Sequence, residues 1–297
     1  MNLFTGLEEI VAENEPLGKY TWLKIGGPAR YLVRPRSQEE LSTVIERCRN
    51  ENYPWKILGQ GANLLIDSKG LNAVVIKLDH IAFKEIEIAK STVTAGGGAS
   101  LSLVIQESIK KGLSGMEVLV GIPGSVGGAV KMNAGGRFGD IGTLVSRIKV
   151  VDKSGTCFWR EKPELNFEYR NANIHDQIVV AAELELMSDD PQRILSRMKE
   201  TWILKKTSQP LSLRSAGCVF KNPAASEPAG LLIDKAGLKG KAIGGAMVSE
   251  QHANFIINQD TATFEDIFAL INLVRKTISD RYGIDLELEI ELWQDGK

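Results

Sequence analysis

Up to Leu186 the apolar positions fall mostly in short, strand-like runs, and the spacing widens to that of a helix in only a few places. Tyr31-Leu32-Val33 reads as a strand. Leu41, Val44, Ile45 and Cys48 then recur at helical spacing, behind Ser37 and Glu40, which stand three apart as in a capping box. Trp55-Lys56-Ile57-Leu58 returns to strand and completes a β-α-β entry. Residues 64–66, 74–78, 86–88 and 92–95 are further strands. Leu101, Val104, Ile105, Ser108 and Ile109 form the inward face of a second helix, with Ser100 as its cap and Gly112 just past its end. Residues 148–151 and 156–159 predict a hairpin, 167–170 follows, and 178–186 is a long strand.

The rhythm changes at Asp190-Pro191, a cap followed by proline at the first helical position. Ile194, Leu195, Met198 and Trp202 carry the period, and 205–210 marks a boundary. Beyond it come a helix over 228–236 stopped by Gly237, and a strand at 255–257. Thr263-x-x-Asp266 caps a helix with Phe264, Ile267, Phe268, Ile271, Val274 and Ile278 inward, ended by Gly283. Residues 286–293 alternate as the last strand.

Glycine is in excess, with 29 residues in 297 against a norm of about 7%, and it is clustered. Gly121-Ile122-Pro123-Gly124-Ser125-Val126-Gly127-Gly128-Ala129-Val130-Lys131-Met132-Asn133-Ala134-Gly135-Gly136 is too long for an ordinary turn. Such a stretch describes main chain laid against something flat or charged; the competing reading is a buried loop of small residues. Leu58-Gly59-Gln60-Gly61-Ala62-Asn63-Leu64-Leu65 points to the same partner. It is not a dinucleotide fingerprint, because Leu64 stands where the third glycine belongs and a strand, not a helix, follows. Its backbone N–H groups can still form an anion-binding nest, to which Asn63 adds an amide. Gly96-Gly97-Gly98 is a third cluster.

Composition narrows the class of function. The net charge of −1 leaves no basic footprint for nucleic acid. No apolar run approaches the ~20 residues of a membrane span, and the acidic N-terminal stretch has no signal-peptide core. Cys48, Cys157 and Cys218 form neither a disulfide framework nor a metal site, so a cytoplasmic location and no metal are expected. His80, His175 and His252 sit in no metal or catalytic frame, and Ser125 lacks the first glycine of a nucleophile elbow.

Three places carry possible chemistry. Arg170 follows Tyr169 at a strand end among uncharged neighbours; its fork suits a carboxylate, or else a surface ion pair. Cys218 stands in Ser215-Ala216-Gly217-Cys218-Val219-Phe220-Lys221-Asn222-Pro223, as a reactive thiol or a packed one. Glu287 and Glu289 share one face of the last strand, which Glu291 continues as a solvated face would.

Taken with the glycine loops, these segments and 248–258 resemble the UDP-N-acetylenolpyruvoylglucosamine reductase family from about Thr21 to Trp293. The resemblance implies an α+β chain with the vanillyl-alcohol-oxidase or PCMH-type FAD-binding fold. Two α+β subdomains (1–80 and 81–203) would hold FAD, and a C-terminal α/β substrate-binding subdomain would span 204–297. It implies non-covalent FAD, NADPH as hydride donor, a UDP-sugar as substrate and, with no nucleic-acid or membrane partner, a monomer. Cofactor contacts would come from Gly59, Gln60, Gly61, Ala62, Asn63 and Leu64, and from Gly121, Ile122, Pro123, Gly124, Ser125, Gly127, Gly128, Asn133 and Ala134. Arg170 matches the family's active-site arginine and Glu289 its C-terminal glutamate. Cys218 occupies the proton donor's position, where serine is commoner; a thiol is the stronger acid and is open to oxidation. Tyr169, Lys206 (or Lys205), Lys221, Asn222 and His252 are the expected substrate contacts. The compact tail places the chain with the shorter class of the family, which lacks a tyrosine-bearing insertion. Two other functions fit less of the pattern: an FAD oxidase or dehydrogenase acting on an alcohol, and a sugar-nucleotide sensor without catalysis.

Overall fold

The computed structural model describes residues 3–224 and 227–295 of the chain. It is α+β and divides into two compact units. The first comprises residues 1–14, 30–59 and 73–203, and the second 15–29, 60–72 and 204–297. The short segments 15–29 and 60–72, which the sequence reading places in the first FAD-binding part, thus group with the C-terminal unit.

The first unit has two cores. One lies under helix α1 (Gln38–Asn50), which buries Leu41, Val44, Ile45 and Cys48 as its spacing predicts. Ser37 accepts the N–H of Glu40, but only this half of the expected capping box forms. The Glu40 carboxylate turns instead to the N–H and guanidinium of Arg36. The associated sheet has the order Val11–Pro16, Pro28–Val33, Leu71–Ile76, Trp55–Ile57, the last two parallel. Burial pushes the Cys48 thiol up to about 12, so it packs as a neutral hydrophobe.

The other core lies on an antiparallel five-stranded sheet, in the order Cys157–Glu161, Val145–Val151, Ile178–Glu185, Thr92–Gly96, Ile86–Ala89. Helix α2 (Leu101–Lys110) buries Leu101, Val104, Ile105, Ser108 and Ile109. Ser100 does not cap it through its side chain; its hydroxyl pairs with that of Ser102. A short helix, α3 (Val126–Lys131), forms inside the long glycine stretch and packs on Ile178–Glu185. Helix α4 (Pro191–Ser208) starts where Asp190 accepts the N–H of Gln192. It buries Ile194 and Thr201, whereas Trp202, expected inward, is 40% exposed.

The second unit has an antiparallel sheet in the order Arg214–Cys218, Phe255–Asn258, Ala246–Val248, Ala242–Ile243. Helices α5 (Ala229–Lys235) and α6 (Phe264–Tyr282) complete its core. Both halves of the Thr263–Asp266 capping box form, and Gly283 ends α6 at φ +67°. The expected strand at 286–293 is regular only over Glu291–Trp293, which pairs in parallel with Leu64–Ile66. Among the described residues no helix is long and apolar enough to cross a membrane. No cluster of three metal-ligating side chains occurs among them either.

Candidate active site

The first unit carries the long glycine stretch and Arg170. Gly121 has φ +79° and Gly124 has φ +145°, a backbone that L side chains rarely adopt. A side chain on Gly124 would meet nothing within 4 Å, so the main chain there borders open space. Ser125 caps α3 by accepting the N–H of Gly128. The N–H groups of Val126 and Gly127 are already spent on the carbonyls of Ala99 and Gly97, at 2.9 and 2.8 Å. Gly127 is glycine because a Cβ would press on the Gly97 and Val179 carbonyls, each at 3.0 Å. Packing therefore accounts for Gly127, whereas the stretch borders open space at Gly124 and again at Gly136. Gly96, Gly97 and Gly98 are likewise packing glycines, each against a backbone carbonyl.

A Cβ on Gly59 would stand 2.9 Å from the Ser125 hydroxyl, so the two glycine stretches meet here across that one small side chain. The Gly59 carbonyl accepts from the Lys77 ammonium at 3.2 Å. Lys77 is mostly buried, and desolvation pushes its pKa down against the opposing pull of Asp79. Its position within the apolar run Val74-Val75-Ile76-Lys77-Leu78 was the signal that sequence reasoning passed over. Exposed main chain at Gly124, beside a bare Gly59, fits a planar or charged group held by backbone; FAD is such a group.

Tyr169 and Arg170 do not end a strand as expected. They form the tip of a two-residue hairpin between Phe167–Glu168 and Asn171–Ala172. Arg170 has φ +55°, an uncommon state for a non-glycine residue. Its guanidinium lies over the Tyr169 ring, 5.1 Å from the centroid. The Asn133 amide is used within the chain: it donates to the Glu168 carbonyl at 2.9 Å and accepts from the Gly142 N–H at 2.9 Å. Ala134 accepts from Ile141, closing the turn after α3.

The second unit carries Cys218 and Glu289. Pairing of Arg214–Cys218 with Phe255–Asn258 is interrupted by a one-residue bulge between Ser215 and Cys218. Gly217, at φ +81°, lies in the bulge and supplies its left-handed residue. Beyond it, the Val219 N–H goes to the Asn254 carbonyl at 2.8 Å. The buried Asn254 side chain bonds the Phe220 N–H at 3.0 Å and the Phe220 carbonyl at 2.8 Å. Glu289 donates its N–H to the Val219 carbonyl, Lys221 donates to Glu287, and Phe220 bridges Leu288. Half-buried Cys218 and half-buried Glu289 thus lie on paired segments of one unit. Sequence reasoning missed Asn254; a lone asparagine between Ala253 and Phe255, in an apolar run, was the available signal.

The first glycine loop joins this arrangement. Gly61 is glycine because a Cβ would meet the Tyr20 carbonyl. Asn63 donates through its amide to the Glu289 carbonyl at 3.0 Å and accepts through its own carbonyl from the Glu291 N–H at 2.9 Å. Gln60 and Ala62 are half-buried and Leu64 is buried. Lys221 is 3.4 Å from the exposed Glu287 carboxylate, and Asn222 accepts the N–H of Ala229 at the start of α5. Lys206 is exposed, and its carbonyl accepts from Gln251. His252 packs edge-on to Phe255, and its Nδ1 accepts the Asn254 N–H at 3.2 Å. Burial first, then Lys239, pushes the His252 pKa down, so the ring is held neutral with its proton on Nε2.

Residues 29–160 match the family model of an FAD binding domain, and residues 209–293 that of the UDP-N-acetylenolpyruvoylglucosamine reductase C-terminal domain. The chain is 42% identical to UDP-N-acetylenolpyruvoylglucosamine reductase of Moorella thermoacetica, over 99% of this chain and 97% of the relative. It is 41% identical to that of Anoxybacillus flavithermus, over 95% and 94%. A solved reductase structure from Thermus caldophilus shares the fold at a TM-score of 0.82, with 38% identity over 96% of this chain and 98% of that one. Identity at this level over nearly the whole of both chains establishes that the protein belongs to the UDP-N-acetylenolpyruvoylglucosamine reductase family.

Proposed function

We propose that the chain reduces UDP-N-acetylglucosamine enolpyruvate to UDP-N-acetylmuramate, using NADPH, in the cytoplasm, as a step of peptidoglycan precursor synthesis. The observation that supports this reading is the main-chain pairing of the segments that carry Cys218 and Glu289: the Glu289 N–H meets the Val219 carbonyl, and Phe220 bridges Leu288. FAD, bound non-covalently, would supply the hydride chemistry between the nicotinamide and C3 of the enolpyruvyl group.

The residues answer what that addition creates. Negative charge develops over C2 and the carboxylate, and it must be stabilised and then protonated at C2. Arg170 presents a fixed, forked cation to the carboxylate. Cys218 delivers its Sγ proton to C2. Glu289, as a neutral acid or through a water, holds the enol form. Gly59 to Leu64, Gly121 to Gly128 and Ala134 hold the cofactor, through main chain more than side chain; the Asn133 amide is spent within the chain. Tyr169, Lys206, Lys221, Asn222 and His252 bind the sugar nucleotide.

The test uses purified protein. It is expected to be yellow, to bleach on NADPH alone, and to regain colour when the enolpyruvyl ether is added, with UDP-N-acetylmuramate as product. Bleached protein that is reoxidised by oxygen but not by the enolpyruvyl ether would instead make it an oxidase on the same fold.

A further inference from the structure

We infer that Asn133 is a positioning residue for Arg170: its amide fixes the hairpin that carries the arginine to the glycine stretch. The inference rests on the function proposed above and adds to it a residue that works through another.

Two residue pairs join the strands of the hairpin, Phe167 with Ala172 and Glu168 with Asn171. Its tip stores the strain of Arg170 at φ +55°. The base is well anchored. Asn166 and Asn173 exchange bonds of 2.8 and 3.1 Å, and Arg160 holds the Asn173 carbonyl at 2.8 Å. Next to the tip, the Asn133 Nδ2 donates to the carbonyl of Glu168, two residues before Arg170.

Asn133 is built for this contact. It is 4% exposed and has φ +41°, which asparagine tolerates better than most residues. Its Oδ1 takes the Gly142 N–H at 2.9 Å, so both ends of the amide meet main chain. Gly142 completes the seat. A Cβ there would stand 2.5 Å from Cγ of Phe167 and 2.7 Å from Oδ1 of Asn133. The hairpin therefore rests on bare backbone at Gly142 and is tied beside it by the Asn133 amide, just past the C-cap of α3.

Asn133→Asp keeps the size, the acceptor for Gly142 and the tolerance of positive φ, but sets an oxygen against the Glu168 carbonyl. The variant is expected to retain flavin and to be reduced by NADPH at the normal rate. Reoxidation by the enolpyruvyl substrate should slow, on the order of the 10²-fold that a displacement near 1 Å costs. In an Arg170→Ala background the same change should cost no further rate. Hydrogen exchange on the flavin-free protein should rise at 167–172 while the strands Val145–Val151 and Ile178–Glu185 stay protected. Gly142→Ala, which displaces Phe167, should reproduce the pattern if the aspartate variant does not fold. Equal slowing of both half-reactions, additive loss with Arg170→Ala, or unchanged exchange at 167–172 would overturn the inference. Failure of the wild type to turn over the enolpyruvyl ether would instead remove the proposed function, and the exchange measurement would still decide whether Asn133 holds the hairpin.

Discussion

Glu289 donates its main-chain N–H to the carbonyl of Val219 at 2.8 Å. Cys218 is the next residue back along that strand, and Asn254 secures the same short segment from its other side. The thiol and the carboxyl are thus referred to one another by backbone hydrogen bonds, which leave little freedom of register.

Cys218→Ser should remain active on the proposed reading, since a hydroxyl can occupy the same position. Cys218→Ala should lose the ~10²–10⁴-fold of a missing general acid, in reoxidation by the enolpyruvyl substrate and not in reduction by NADPH. Single-turnover traces separate the two. A near-normal reoxidation rate in the folded alanine variant would leave Cys218 as a packing residue and pass the proton to a water held by Glu289.

Asn254→Ala removes the amide that bonds the buried N–H and carbonyl of Phe220. Each orphaned group costs roughly 1–3 kcal/mol. Urea unfolding should show a loss of that order. A change under about 0.5 kcal/mol, as for an ordinary surface substitution, would mean that water replaces the amide.

Gly124→Val places a β-branched side chain at φ +145°, on main chain that faces open space. The purified variant should lack flavin, read as visible absorbance relative to protein. Full flavination would move the cofactor away from this loop.

His252 gives stability a pH dependence of known sign. Its folded pKa lies below the ordinary histidine value of 6.5, because burial and then Lys239 disfavour the imidazolium. Below 6.5 the unfolded chain binds the proton more readily, so this contribution is intact above that pH and is lost as pH falls toward the folded pKa. Protonation also removes the acceptor for the Asn254 N–H. The urea midpoint should therefore drop between neutral and mildly acidic pH, and His252→Gln should drop less. Equal drops would show that His252 has no part in the acid sensitivity.

Much of this protein was determined by the sequence alone. The inward faces of α1, α2 and α6 follow from residues three and four apart, and the Thr263–Asp266 box and Gly283 mark the ends of α6. These features are decided within a turn or two of chain, so a local pattern suffices. The tertiary structure decided what each glycine is for: Gly127 yields to the Gly97 and Val179 carbonyls, whereas Gly124 faces open space. It also turned Tyr169 and Arg170 from a strand end into a hairpin tip, and it shortened the last strand because 286–290 is held by Val219, Phe220 and Lys221 instead. Asn133 and Asn254 look in the sequence like any loop or strand amide. Their role depends on which distant backbone groups lack a partner, and only the folded chain sets that.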